Sequence, residues 1–282
     1  MGHSPTIQDP KSIGVGGVID WKRAETAPAP SPAPSAPVAL PSPMHVMEEI
    51  TAPTVTLKPG VNRLGLKNEP ALKFSVAEEV WLLSLARRQD RRERALKACE
   101  SVGIVPKVFS AFDGKTLPLQ NPASESYRRG PKRPMNAAEI ACFLSHAAIL
   151  RQAMSAGVSS LLVLEDDIVF ADCFLERFRM MWQECPSDMD ICYGSNEGVR
   201  TMPTMVSERV HRHHHSWVSI FVLYQRSAME AIINHPDFAA CKNSWDDFLM
   251  FASSELGLHV YGPRDKIVWS YDIADSDIDP KQ

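Results

Sequence analysis

Three consecutive carboxylates, Glu165, Asp166 and Asp167, follow directly on four apolar residues, Leu161–Leu164, and apolar character resumes at Ile168. A short unbroken apolar run reads as a strand buried on both faces, the signature of a parallel sheet. Three acids at the end of such a strand repel one another and resist desolvation, so they call for open solvent or a divalent cation. Hard cations such as Mn²⁺ or Mg²⁺ take oxygen ligands, and α/β folds bind ligands beyond the carboxyl ends of their strands. Glu165, Asp166 and Asp167 are therefore together candidates to hold a divalent cation. The plain alternative is a strand that ends in a polar turn.

Three further groups could carry chemistry. Arg87, Arg88, Arg91 and Arg92 stand where a first strand meets a helix, and a helix N-terminus flanked by arginines suits a diphosphate; a solvated basic face is the alternative. Asp246 and Asp247 follow Trp245, and either carboxylate could deprotonate an acceptor hydroxyl. Ser244 and Asp247 also have capping-box spacing, which offers Asp247 a structural role, whereas Asp246 is harder to explain as a cap. The cluster His211, His213, His214 and His215 lacks the spacing of a structural zinc site, so His214 or His215 singly is the better candidate for an extra ligand or substrate contact.

The elements that must position these groups are legible in outline. Val80–Leu85 reads as a strand, Ala86–Gly103 as a helix capped near Asp90, and Ile104–Phe112 as a second strand ended by the turn pair Asp113-Gly114. This is a βαβ unit with a parallel sheet. A proline-rich and basic loop follows, with Arg128, Arg129, Lys132 and Arg133. Asn136 and Glu139 have capping-box spacing at the start of a helix with Ile140, Phe143, Leu144 and Ala147 toward the core. Glu139, Cys142 and His146 share its flanking face. After the acidic strand come a helix capped by Asp172, a strand over Met189–Tyr193, a strand over Ser216–Tyr224, helices over Ser227–Asn234 and Ser244–Leu256, and closing strands at His259–Tyr261 and Ile267–Trp269.

Residues 1–76 differ from the rest, holding 12 of the 22 prolines and the stretch Pro28–Pro37. Alternating proline and alanine favours an extended tether that buries too little to offset its ordering entropy, so this segment is expected to be disordered and residues 77–282 to form the domain. A net charge of −4 gives no electrostatic case for nucleic acid. No apolar run approaches the ~18 residues that span a bilayer. Six scattered cysteines without a CxxC pair read as reduced thiols, which suggests a cytoplasmic protein with at most peripheral contact to a membrane.

Taken together in order, VWLLSLARRQDRRER with Arg87 and Arg91, FSAFDGKTL with Ala111, Asp113 and Gly114, NAAEIACFLSHAAI with Glu139, Cys142, Ser145 and His146, LLVLEDDIVF, and FVLYQRSAMEAII followed by SWDDFL resemble the motifs of glycosyltransferase family 25. That family includes lipopolysaccharide galactosyltransferases and collagen galactosyltransferases. Ala138 and Ala141 stand where it commonly has glycine, and Ser84 where asparagine is common. The resemblance implies a GT-A-like nucleotide-sandwich α/β domain with a mostly parallel central sheet, a UDP-sugar donor (UDP-galactose foremost), Mn²⁺ or Mg²⁺ and inversion at the anomeric carbon. It implies a glycan or lipid-linked glycan acceptor, as in lipopolysaccharide synthesis. Arg87, Arg91, Asp113, Gly114, Glu139, Ser145, His146 and Asp166 would line the donor site, Glu165 and Asp167 would hold the metal, and Asp247 or Asp246 would be the base. A catalytically inactive module of the same shape is the main alternative. A metal-dependent nucleotidyltransferase or phosphohydrolase would instead be expected to carry a glycine-rich phosphate loop or spaced Asp/His ligands, and neither is present.

Overall fold

The computed structural model describes residues 76–116, 125–126, 133–196, 203–213 and 218–271. The proline-rich segment to residue 75, the loop residues Arg128, Arg129 and Lys132, and the histidines His214 and His215 lie outside the described residues.

In chain order the elements are β1 (Glu79–Leu85), α1 (Gln89–Ser101), β2 (Lys107–Ala111), β3 (Glu125–Ser126), β4 (Arg133–Pro134), α2 (Ala137–Ser155), β5 (Ser160–Glu165), β6 (Ile168–Phe170), α3 (Phe174–Glu184) and β7 (Ile191–Tyr193). There follow β8 (Thr204–Met205), β9 (Val210–Arg212), β10 (Phe221–Gln225), α4 (Arg226–Ile233), α5 (Pro236–Ala240), α6 (Trp245–Glu255), β11 (Val260–Pro263) and β12 (Val268–Ser270). Eight strands form one sheet in the order β2-β1-β5-β10-β7-β11-β9-β8. β1 pairs in parallel with β2 and β5, and β7 with β11; β10 is antiparallel to both its neighbours, and β9 to both of its own. Following these pairings across, β2, β1, β5, β7, β11 and β8 point one way and β10 and β9 the other, so the sheet is α/β in class and mostly parallel in strand direction. Two-stranded ribbons β6–β12 and β3–β4 stand apart from it.

The acidic strand sits inside this sheet. Leu161, Leu162, Val163 and Leu164 are each at most 1% exposed between β1 and β10. Burying four such side chains contributes about 1.5–3 kcal/mol each before the entropy of ordering them is counted, and so holds the strand that ends in Glu165. α2 is buried almost all round: besides the expected stripe, Ala141, Ser145, His146, Ile149 and Leu150 are inside. Its N-terminus has the full capping box, with the Glu139 N–H donating to Asn136 Oδ1 and the Asn136 N–H to Glu139 Oε2, both at 2.9 Å. Phe143 joins α2 to the next helices through rings of Phe238, Trp245 and Phe248 at 5.3–5.9 Å.

Two helix starts differ from expectation. α1 begins at Gln89 with Arg88 as its N-cap, and Asp90 falls in the first turn, where it accepts from the Arg88 guanidinium. α3 is preceded not by a capping Asp172 but by Cys173 in the left-handed region (φ 57°). The turn leaving β6 places the Phe174 N–H on the Ala171 carbonyl, so the chain must reverse at 173 before the helix can start.

Candidate active site

The parallel register brings three strand ends to one edge. Leu85 of β1 lies opposite Ala111 of β2, and Leu83 opposite Glu165 of β5. Arg87 and Asp113 therefore leave adjacent strands two residues past a register pair, and the Arg87 Nε donates to Asp113 Oδ2 at 2.6 Å. The other Asp113 oxygen accepts from the Lys115 N–H, which folds the turn over itself. Gly114 is required there by space: a Cβ would stand 2.6 Å from the Ala137 carbonyl and the Ala138 nitrogen, backbone atoms of α2 that have no room to move. Ser145 fastens the same turn from below, accepting from the Phe112 N–H at 2.9 Å while donating to the Ala141 carbonyl.

The acidic triplet is held by unequal partners. Arg91, on the buried face of α1, makes ion pairs with Asp166 at 2.6 Å and Asp167 at 3.4 Å. Burial pushes the Asp166 carboxyl above its ordinary value, and Arg91 pulls it part of the way back. Asp167 is pushed up to about 6 by burial and by the neighbouring charge of Glu165, against the pull of Arg91 and a hydrogen bond from Ser270. Its Oδ2 accepts from the Ser270 hydroxyl at 2.9 Å, and its carbonyl from the Tyr271 N–H. Its Oδ1 is buried and, among the described residues, has no hydrogen-bond partner. A buried carboxylate oxygen left in this state is costly in bare protein and well disposed toward a cation.

Glu165 has a different set of partners. Its Oε1 lies 3.1 Å from His146 Nε2 and accepts from the Ser219 hydroxyl at 2.7 Å. His146 is stacked flat on Trp245, with ring centres 4.8 Å apart and 7° between planes. Trp245 opens α6, so the two acids of the SWDD stretch come to the far side of this stack. They part company there. Asp247 is buried and accepts from the Ser244 hydroxyl at 2.6 Å, the N-cap position of its own helix. Asp246 is half-buried, and its charge adds to burial in raising both Tyr193 and Tyr224. Glu165 acts on the same Tyr224, so Asp246 and Glu165 flank one tyrosine.

Among the sequence-derived candidates, then, Arg87, Arg91, Asp113, Gly114, Asp166 and Asp167 come together at the ends of β1, β2 and β5, joined by Glu165 and His146. Ser145 supports this edge from α2. Glu139 lies at the start of α2, where Arg133 grips it through two hydrogen bonds of 2.7 and 2.8 Å beside the capping box. The remaining arginines are engaged locally, Arg88 with Asp90 and Arg92 with Ser84. His213 is buried against Tyr193 and Gly262, and His211 is on β9. Sequence reasoning missed Ser219 and Ser270 as partners of the acidic triplet, and Trp245 as the stacking partner of His146. The two serines have no local signal, and nothing near the tryptophan in sequence points to its ring partner. Among the described residues no group of three or more His, Cys, Asp or Glu side chains converges as a metal cage. None of the six cysteines, all among the described residues, is in a disulfide, and no helix among the described residues is long and apolar enough to cross a membrane.

Comparison with known proteins gives these residues a lineage. Residues 77–218 match the model of glycosyltransferase family 25 (LPS biosynthesis protein), a span that contains Arg87, Asp113, His146 and the acidic triplet and stops short of Asp246. The chain is 30% identical over 174 residues to procollagen galactosyltransferase 1 of Danio rerio, an alignment covering 56% of this chain and 29% of that protein. It is 28% identical over 173 residues, with the same shares covered, to a probable inactive glycosyltransferase 25 family member 3 of Bos taurus. A glycosyltransferase 25 family member of Anopheles gambiae is 34% identical over 130 residues, or 44% of this chain and 22% of that one. The chain thus spans under a third of the length of these curated relatives. Of the solved structures, A197 from STIV aligns over 72% of this chain and 98% of its own with 11% identity and a TM-score of 0.38, too distant to carry an argument. The family model covers half of the sequence and every acid of the β5 edge, and the chain belongs to glycosyltransferase family 25.

Proposed function

We propose that this chain transfers a hexose, galactose foremost, from a UDP-sugar to a hydroxyl of a glycan acceptor in surface-glycan synthesis such as that of lipopolysaccharide, with inversion, on the cytoplasmic side of the membrane that carries the acceptor. The observation that carries the reading is the half-buried Asp167 carboxylate, with one buried oxygen that no group among the described residues satisfies, at the strand edge that gathers Arg87, Arg91 and Asp113. The donor set fits Mn²⁺ or Mg²⁺ of the kind bound by one or two carboxylates and completed by substrate phosphates and water, with Asp167 and Glu165 as its protein ligands. When bound, such an ion supplies Lewis-acid charge to a diphosphate leaving group. Arg87 and Arg91 add positive charge at the same edge, while Asp113 and Gly114 shape the wall beside it. Asp246 is the better placed of the two α6 acids to act as base, because Asp247 is committed to Ser244. In the transfer the acceptor oxygen bonds to the anomeric carbon, the bond from that carbon to the diphosphate breaks, and the hydroxyl proton passes to the Asp246 carboxylate.

Relatives named as galactosyltransferases and as inactive members both align with this chain, so turnover must be measured. The protein is incubated with UDP-, GDP- and CMP-sugars, with Mn²⁺ or with EDTA, and released nucleotide is quantified with and without glycan acceptors. Mn²⁺-dependent release from one UDP-hexose that disappears in Asp167→Ala is the expected result. Absence of release together with absence of any Mn²⁺-dependent stabilisation by UDP overturns the proposal.

A further inference from the structure

The ring of His146 makes two contacts of different kinds. Its Nε2 faces a Glu165 oxygen, and because an ionised carboxylate only accepts, Nε2 carries a proton, while Nδ1 is buried with no hydrogen-bond partner among the described residues. A single hydrogen bond leaves an imidazole free to swing about it. The second contact removes that freedom: the ring lies parallel to Trp245, which is 2% exposed and wedged in turn by Phe143 and Phe248 at 5.5 and 5.7 Å. Trp245 is the first residue of α6 and immediately precedes Asp246. Resting on the reading of the site given above, we infer that the stacked pair His146–Trp245 is a positioning unit, which orients Glu165 toward the cation on one side and the first turn of α6, with Asp246, toward the acceptor on the other. Groups that hydrogen-bond a metal-ligating carboxylate fix its direction, and a stacked pair this well buried has one arrangement rather than several. The unit is therefore a mechanical link between donor-side and acceptor-side carboxylates carried by different elements, β5 and α6. Neither His146 nor Trp245 touches the reacting atoms.

The full-length chain carries the test, with Mn²⁺ binding followed by electron paramagnetic resonance titration and transfer kinetics measured on the same samples. His146→Phe keeps a ring on Trp245 but loses the donor to Glu165, and is expected to weaken Mn²⁺ binding by about tenfold or more. His146→Gln keeps a donor in nearly the same place and is expected to recover most of that loss. Trp245→Leu keeps the donor but frees the ring, and is expected to weaken Mn²⁺ binding about threefold or more and to lower kcat with little change in donor KM. Trp245→Phe, which preserves a flat face, serves as the milder variant if Trp245→Leu fails to fold. Wild-type Mn²⁺ affinity in His146→Phe, or wild-type affinity and kcat in Trp245→Leu, overturns the inference while leaving the transferase reading intact. If the unmodified chain takes up no Mn²⁺, the assignment of Glu165 to a metal falls first and the inference with it.

Discussion

Replacing Asp167 by asparagine is expected to make the metal-free protein more stable while abolishing its activity. The carboxyl is pushed from its ordinary 3.8 up to about 6, a rise of about 2 units, and each unit is worth about 1.4 kcal/mol of preference for the neutral form. Above pH 6 the folded state thus carries about 3 kcal/mol of ionisation cost that the unfolded chain escapes. The sign follows from proton binding: the folded state holds this proton more tightly, so its contribution to stability is full below about pH 4 and is lost as pH rises through 6. Asparagine has the same shape, stays neutral at every pH and can still accept from the Ser270 hydroxyl. In EDTA at pH 7.5 the variant should therefore be more stable by up to about 3 kcal/mol, or about 6–12 °C in Tm for a domain of this size, with the gap closing toward pH 4. Thermal and urea unfolding at both pH values measures it. Adding Mn²⁺ with UDP should reverse the order by stabilising only the wild type. A variant no more stable than wild type at pH 7.5 in EDTA would refute the claim that Asp167 is strained by burial and by Glu165.

Three other substitutions separate scaffold from chemistry. Arg91→Met strands one buried and one half-buried carboxylate and should cost about 3–5 kcal/mol in denaturant unfolding, far more than loss of a surface pair. Gly114→Ala drives a methyl into the backbone of α2 and should cost about 1–3 kcal/mol, with weakened UDP binding measured by calorimetry. Asp246→Asn should lower kcat by about 10²–10⁴, whereas Asp247→Ala should cost about 1–3 kcal/mol of stability by orphaning Ser244; a large loss of kcat in Asp247→Asn with little in Asp246→Asn would transfer the base to Asp247.

The acidic edge explains why a family of transferases would tolerate such tension. Four buried aliphatic residues anchor β5, and the cost of ending it in three acids is offset by Arg91, Ser219, Ser270 and His146, which come from four separate segments. Among the described residues, what stays without a hydrogen-bond partner at this edge includes one oxygen of Asp167, beside the Nε of Arg91 and the Nδ1 of His146.

Amino-acid order alone determined whatever depends on near neighbours. The LLVL run announced a buried strand because nothing but a two-sided apolar environment suits it, and the acids after it announced three carboxylates at the strand's end. Asn136 and Glu139 announced the α2 capping box because both partners lie within one helical turn. Asp113-Gly114 announced a turn, although the closeness of α2 that makes the glycine necessary became visible only in three dimensions. Tertiary structure alone decided everything set by distant partners. Periodicity carries no direction, so the antiparallel course of β10 beside β5 was not legible in its apolar pattern. The spacing of Ser244 and Asp247 hinted that these two pair, but that Asp247 is buried and Asp246 half-buried became visible only in three dimensions. Ser270 reaches Asp167 across more than a hundred residues of chain, and Trp245 meets His146 across almost as many. Contacts of that span are set by how layers pack, and no local pattern of residues encodes them.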